Sequence, residues 1–282
     1  MATNQYKGVS FYIVAHADDW QLFMNPNVYR DLINEDNKVV IIITTAGDAG
    51  SNAGYWTARE EGCKSSVRFC LAPHTFITEW SGEREINQHV FRYWCANNVC
   101  CYFFRLPDGN LDGGGFPNNN YQSLSRLRSL EIPVVMALDG STSYKGWTDF
   151  YSTLNAIIDF ESKELLNIRL SYLDPDFKRN SNDHPDHIAT GQAIQAMDGL
   201  ADVQQLLYSG YGCKDAKPIS PIFLFWKVGM LAAYEKAVFD ICGYSTLKED
   251  ATQYIEWCFR NADFITIGPQ SLVPYPRGLL HT

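Results

Sequence analysis

Two short runs of residues hold the side chains that metal-assisted hydrolysis uses. Ala15-His16-Ala17-Asp18-Asp19 lies near the N-terminus, and His184-Pro185-Asp186-His187 lies about two-thirds of the way along. Together they carry three of the six histidines in the chain. A catalytic zinc takes three protein ligands, commonly histidine nitrogens with a carboxylate, and keeps a position for a water whose pKa falls to about 7. A base must stand beside that water without being a ligand. Adjacent aspartates can divide these tasks, because neighbours on a loop project differently. A further histidine can steady the oxyanion of a tetrahedral intermediate or protonate a leaving amine. The two runs supply all of these parts. Each run also has a plain structural reading: Asp18 or Asp19 can cap the helix that follows, and His184-Pro185 can open a helix with proline at its first position.

The elements around the runs place both at strand ends. Residues 9–15 (VSFYIVA) and 38–45 (KVVIIITT) are short, continuous apolar runs rich in β-branched residues, as expected of strands in a parallel sheet covered on both faces. Apolar residues at 22, 23, 28, 29, 32 and 33 form a helical stripe over 20–34, which makes the first unit a βαβ. A helix is predicted over 56–71 and a strand over 75–78. Residues 89–105 read as a β-hairpin turning at Ala96-Asn97-Asn98 and added to the parallel sheet. Residues 107–120 (PDGNLDGGGFPNNN) are a loop by composition, with Gly113-Gly114-Gly115 read as a lid near the mouth of a site. Helices follow at 148–167, 185–197 and 223–242, strands at 168–173, 204–209 and 264–267. Thr246 and Glu249 read as a capping box opening the last helix. The predicted fold class is α/β: a three-layer sandwich with a Rossmann-like, mainly parallel sheet and an added β-hairpin, forming one domain over 1–282. In such sheets ligands bind outside the carboxyl ends of the strands, where both runs fall.

Composition narrows the field. The chain has 282 residues, 46% of them hydrophobic, enough for a substantial core, and a formal charge of −9. An acidic chain without a Lys/Arg run lacks the footprint that nucleic-acid binding requires. The longest apolar runs are core-sized, so no membrane span is expected, and the first residues do not read as a signal peptide. The eight cysteines contain no CxxC, which excludes a cysteine zinc finger; free thiols and a cytoplasmic location are the expectation. Oligomeric state is not readable, and a homo-oligomer stays open.

The same residues carry a resemblance. The chain resembles the PIG-L/LmbE family of zinc-dependent N-acetylglucosaminyl deacetylases, whose signature is A-H-P-D-D-E after the first strand and H-P-D-H further on. Here these stand as A-H-A-D-D-W and H-P-D-H. The likeness continues through Thr45-Ala46-Gly47-Asp48-Ala49-Gly50, through Arg59 with Glu60-Glu61, and through Leu106-Pro107-Asp108-Gly109, and it is clearest over 8–210. It implies zinc, or another divalent metal, on His16, Asp19 and His187. It implies Asp18 as general base, His184 as oxyanion stabiliser or acid, and Asp186 as the partner that orients His184. It places Asp48, Arg59 and Asp108 at positions that touch the sugar. The family glutamate is replaced by Trp20, a ring that either supports the sheet or lines the pocket and stacks on a sugar. The later H-S-Q element stands as Tyr234-Glu235-Lys236. The implied activity is removal of an N-acyl group, an N-acetyl above all, from a small-molecule amino sugar or its conjugate. A zinc amidase for a non-sugar or sugar-conjugated amide, or a non-catalytic metal- or sugar-binding homologue, are the alternatives.

Overall fold

Side chains of the central strands alternate strictly between two cores, and this period of two sets the layers. From the first strand, β1 (Gly8–Val14), Tyr12 and Val14 enter one apolar cluster, and Val9, Phe11 and Ile13 enter the other. The second, β2 (Asn37–Thr45), divides in the same way, with Val39, Ile41 and Ile43 facing one cluster and Val40 and Ile42 the other. A strand apolar on both faces must be covered on both, which is what the computed structural model has, over residues 6–51 and 54–269, with the side chains of 214, 215, 249 and 250 outside the description.

In chain order, the helices α1 (Asp19–Phe23) and α2 (Asn27–Leu32) lie between β1 and β2. Then come α3 (Tyr55–Leu71), β3 (Glu79–Ile86), β4 (His89–Ala96), β5 (Val99–Leu106) and α4 (Leu124–Arg128). A small hairpin, β6 (Val134–Met136) with β7 (Ser143–Lys145), precedes α5 (Gly146–Glu161), β8 (Asn167–Leu173) and α6 (Pro185–Gln195). The chain continues with β9 (Gln204–Tyr208), α7 (Pro221–Cys242), α8 (Thr246–Cys258) and β10 (Phe264–Ile267). The main sheet has the order β10-β9-β8-β1-β2-β5-β4-β3. Strands β9, β8, β1, β2 and β5 pair in parallel, while β4, β3 and β10 are joined antiparallel at the edges. Residues of α1, α2, α3, α7 and α8 share one cluster, and residues of α4, α5 and α6 the other. This is the expected three-layer α/β sandwich. No helix among the described residues is long and apolar enough to cross a membrane.

The details differ from the sequence reading in physically traceable ways. The single helix expected over 20–34 is two short ones, α1 and α2, broken at Pro26, which has no N–H to continue the ladder. Residues 75–78 are not a strand. The hairpin expected at 89–105 is the second half of a three-strand meander whose first member, β3, carries Glu83, Arg84 and Glu85 and is mostly exposed, so no apolar run announces it. The β3–β4 turn places Asn87 and Gln88 at φ 49° and 66°, the left-handed pair that a tight hairpin requires. The helix predicted over 148–167 ends at Glu161. Neither α4 nor the β6–β7 hairpin was expected. Cys95 and Cys100 stand opposite each other across β4 and β5 and form a disulfide, which corrects the expectation of free thiols throughout; the other six are free. Of the capping box, the Thr246 hydroxyl donates to Glu235 instead, and the Glu249 side chain lies outside the described residues.

A buried ion pair ties the base of the sheet to α2. Arg169 of β8 donates to Asp31, whose Oδ2 also accepts the Tyr12 hydroxyl at 2.6 Å, and all three side chains are buried. Removing one partner of a buried ion pair costs about 3–5 kcal/mol. Asp31→Ala should therefore lower unfolding free energy by that order in urea titrations. A change below about 1 kcal/mol would show that Arg169 finds another anion or reaches water.

Candidate active site

The two runs meet at the point where the strand order reverses. From β1 the chain proceeds outward on one side through β2 and β5 and returns on the other side as β8 and β9. His16 follows β1 and His184–His187 follow β8, so adjacent parallel strands deliver both to the switch-point crevice. Pro185 opens α6, and His184 caps it: its Nδ1 accepts the Asp186 N–H at 3.1 Å. The structural reading of His184-Pro185 is correct and does not displace the chemical one. Asp18 occupies the cap position of α1 without a side-chain capping bond, and Asp19 is the first residue of that helix.

Three potential ligand atoms converge. His187 Nε2 is 3.2 Å from His16 Nδ1 and 3.1 Å from Asp19 Oδ1, and His16 Nδ1 is 3.7 Å from Asp19 Oδ1. Ligands at about 2.0–2.1 Å from a tetrahedral zinc stand roughly 3.3–3.4 Å apart, so the triangle has the size a metal needs. Each member is fixed from behind. The other Asp19 oxygen accepts the His16 backbone N–H at 2.8 Å. His187 Nδ1 lies 2.8 Å from Asp183 Oδ1, and His16 Nε2 lies 3.4 Å from Asp186 Oδ2. A carboxylate behind a ring nitrogen holds the proton there and frees the opposite nitrogen for a metal. Burial opposes charge on His16, yet Asp19, Asp186 and Asp108 outweigh it and hold the imidazole up to about 10. Burial likewise opposes charge on Asp19, and His187 and His16 hold it well below the usual carboxylate range. A second grouping, His16 with Asp108, His184 and Asp186, is wider, with separations of 3.4–4.0 Å.

Beside the triangle, Arg59 of α3 organises the remaining carboxylate. Its Nη2 donates to Asp18, its Nη1 to the Gly47 carbonyl at 2.8 Å and its Nε to the Tyr234 hydroxyl at 2.8 Å. The other Asp18 oxygen accepts the Tyr254 hydroxyl at 2.8 Å. Gly47 has φ 55°, and a Cβ there would stand 2.6 Å from the guanidinium and 3.1 Å from the His16 ring, so only glycine fits. His184 is pushed down to about 4 by burial and by the charge on His16, so its Nε2 carries the proton of a neutral ring. These groups open on a cavity of about 210 Å³, lined also by Asp108, Leu111, Tyr55, Tyr211, Tyr244 and Trp257. Leu111 brings the 107–120 loop to the mouth, where the Gly115 N–H bonds Gly109 and the Ser123 hydroxyl bonds Gly113.

The expected site residues separate into those the fold gathers and those it does not. His16, Asp18, Asp19, Arg59, Asp108 and His184 line the cavity, and His187 and Asp186 stand directly behind it. Asp186 reaches His16 and not His184, whose Nδ1 is 3.8 Å from its carboxylate; the expected partner is a different histidine, because His184 Nδ1 is taken by the backbone N–H. Asp48 does not reach the cavity: it latches loops by accepting the N–H groups of Asp108 (2.9 Å) and Gly50 (3.1 Å) and the Asn119 amide (2.7 Å). Trp20 is wholly buried in the core, so the sheet-supporting alternative is the one realised. Asp183 was missed, although a carboxylate one helical turn before His187 is a readable signal. Tyr211, Tyr254 and Trp257 carry no local signal.

The family model described as PIG-L, GlcNAc-PI de-N-acetylase, matches residues 11–197, well over half of the chain. No curated protein matches. Among solved structures, an N,N′-diacetylchitobiose deacetylase from Pyrococcus horikoshii has a TM-score of 0.48 at 13% identity, over 93% of this chain and 84% of that one. A deacetylase mutant of teicoplanin biosynthesis has a TM-score of 0.46 at 11% identity, over 89% and 88%.

If the carboxylate behind His187 fixes its tautomer, Asp183→Ala should weaken zinc binding about 10–100-fold with the fold intact. Competition against a chromogenic chelator measures this, with circular dichroism as the control. Unchanged affinity would assign Asp183 to the loop alone.

Proposed function

The chain belongs to the PIG-L family, and from that premise we propose that it is a metal-dependent N-deacetylase acting on an amino sugar or amino-sugar conjugate. The observation that carries this reading is the triangle of His16 Nδ1, Asp19 Oδ1 and His187 Nε2, each backed by a hydrogen-bond partner, at the wall of the cavity that His16, Asp19, Asp18 and His184 line. His16, Asp19 and His187 are the proposed ligands and zinc the proposed metal. When bound, the metal supplies a Lewis acid and lowers the pKa of a water to about 7.

The chain's own residues would do the rest. Asp18 takes the proton of the attacking water. Its carboxylate has roughly four lone-pair positions, of which Arg59 and Tyr254 occupy two, so it is oriented and keeps acceptor capacity toward the cavity. His184 donates through Nε2–H to the oxygen that gains charge as the amide carbonyl becomes tetrahedral, while its cap bond fixes the ring. Because the cap bond commits Nδ1 as an acceptor, Nε2–H is the ring's donor toward substrate, and of the two roles read from the sequence the oxyanion role is preferred. Asp186 and Asp183 are positioning residues that set the tautomers of His16 and His187.

Asp18→Asn should lower kcat for release of acetate from an N-acetylated sugar by about 10²–10⁴-fold while zinc remains bound. Chelation should abolish turnover in the wild type, and added zinc should restore it. Undiminished turnover by the variant would remove Asp18 from the chemistry.

A further inference from the structure

The cavity is electrically one-sided. Among the described residues that line it, the carboxylates of Asp18, Asp19 and Asp108 face a single guanidinium, Arg59. Asp183 and Asp186 add two more carboxylates immediately behind the histidines. Arg59 is already engaged: each of its three nitrogens donates within the protein, to Tyr234, Gly47 and Asp18. With His16 and His187 neutral as metal ligands, five carboxylates outnumber that guanidinium together with the two charges of a divalent metal. A phosphate brought here would give up hydration and meet carboxylates, with no free lysine or arginine among the described lining residues to pair it.

What the cavity offers instead is aromatic surface. Tyr211 stacks on Trp257 with centroids 4.8 Å apart, and Tyr55 meets Tyr244 edge-on at 4.8 Å. Tyr254 completes the wall. Ring faces pack against the C–H faces of a saccharide, and tyrosine hydroxyls can bond its neutral hydroxyls. Of these residues Tyr211, Tyr244, Tyr254 and Trp257 all lie beyond the family-matched residues 11–197. Most of the wall therefore lies outside the family-matched residues, in the segment after β9, the α7–α8 junction and α8.

We infer that the substrate is an uncharged N-acyl glycoside held against this aromatic wall, and that amino sugars bearing a phosphate or nucleotide are selected against. The inference rests on the deacetylase reading of the same site. It is tested with the zinc-loaded full chain by comparing amine release from methyl N-acetyl-β-glucosaminide and N,N′-diacetylchitobiose with release from N-acetylglucosamine 1-phosphate and UDP-N-acetylglucosamine. The neutral pair should show kcat/KM at least roughly tenfold higher, and Tyr244→Lys, which puts a cation at the partly exposed mouth, should raise the values for the phosphorylated pair by about tenfold. Equal or better turnover of the phosphorylated pair by the wild type would overturn the inference and leave the deacetylase reading standing. If none of the four is deacetylated, that reading fails, and calorimetry with methyl glucosaminide and glucosamine 1-phosphate decides this one. Binding of the methyl glycoside at least about tenfold tighter upholds it. Equal or tighter binding of the phosphate, or no binding of the methyl glycoside, overturns it.

Discussion

Two imidazole nitrogens and a carboxylate oxygen face one another at 3.1, 3.2 and 3.7 Å in a buried crevice, and most of the surrounding structure follows from holding them there. Left to relax, each would turn toward water or toward its own backbone. They stay because every back side is bonded: Asp19 to the His16 N–H, His16 to Asp186, His187 to Asp183. Those partners are held in turn, Asp186 by the Gly109 N–H at 2.9 Å and Asp183 by the Tyr211 N–H at 3.2 Å. A Cβ on Gly109 would meet the Asp186 carboxylate at 2.4 Å, so the loop after β5 can come this close only as glycine. The site is thus a set of backbone approaches at strand ends as much as a set of side chains.

Arg59 extends that order to the other helical layer. One guanidinium joins the loop after β2, the carboxylate beside the triangle and the α7 tyrosine, and Asp18 passes the connection on to Tyr254 of α8. Burial opposes charge on Arg59, but the Asp18 carboxylate keeps it well above its ordinary value. Such a pair contributes little net stability compared with apolar packing, and its value lies in geometry. It fixes the carboxylate that the reaction would use as a base, and it does so with residues from elements far apart in the chain.

How much of this was legible depended on distance along the chain. The strands β1 and β2 announced themselves as continuous apolar runs, because a strand covered on both faces has little polar surface to show. The exposed strand β3 did not, and neither did the break at Pro26 within an otherwise helical stripe. At the site, His16, Asp18, Asp19, His184 and His187 were readable because each pair of neighbours sits in a motif of a few residues. Asp48 and Trp20 were assigned by position in the family pattern, and the fold gives them other work: one latches loops and the other fills the core. The tyrosines that complete the pocket come from the segment after β9, the α7–α8 junction and α8, whose docking depends on the whole sheet, so nothing adjacent in sequence marks them.

This division has a consequence for how chemistry and selectivity are distributed. The proposed ligands, base and oxyanion donor all lie within residues 11–197, on loops that follow the central strands. The aromatic wall comes mainly from the segment after β9, the α7–α8 junction and α8, on the side of the sheet that α7 also covers. A substitution in that segment can change which glycoside fits without moving a ligand atom, provided the Tyr254–Asp18 and Tyr234–Arg59 bonds are kept. Those two hydrogen bonds, with that of the Tyr211 N–H to Asp183, are among the contacts that join the two halves at the site. The same contact that lets the C-terminal helices shape the pocket also makes the orientation of the proposed base depend on them.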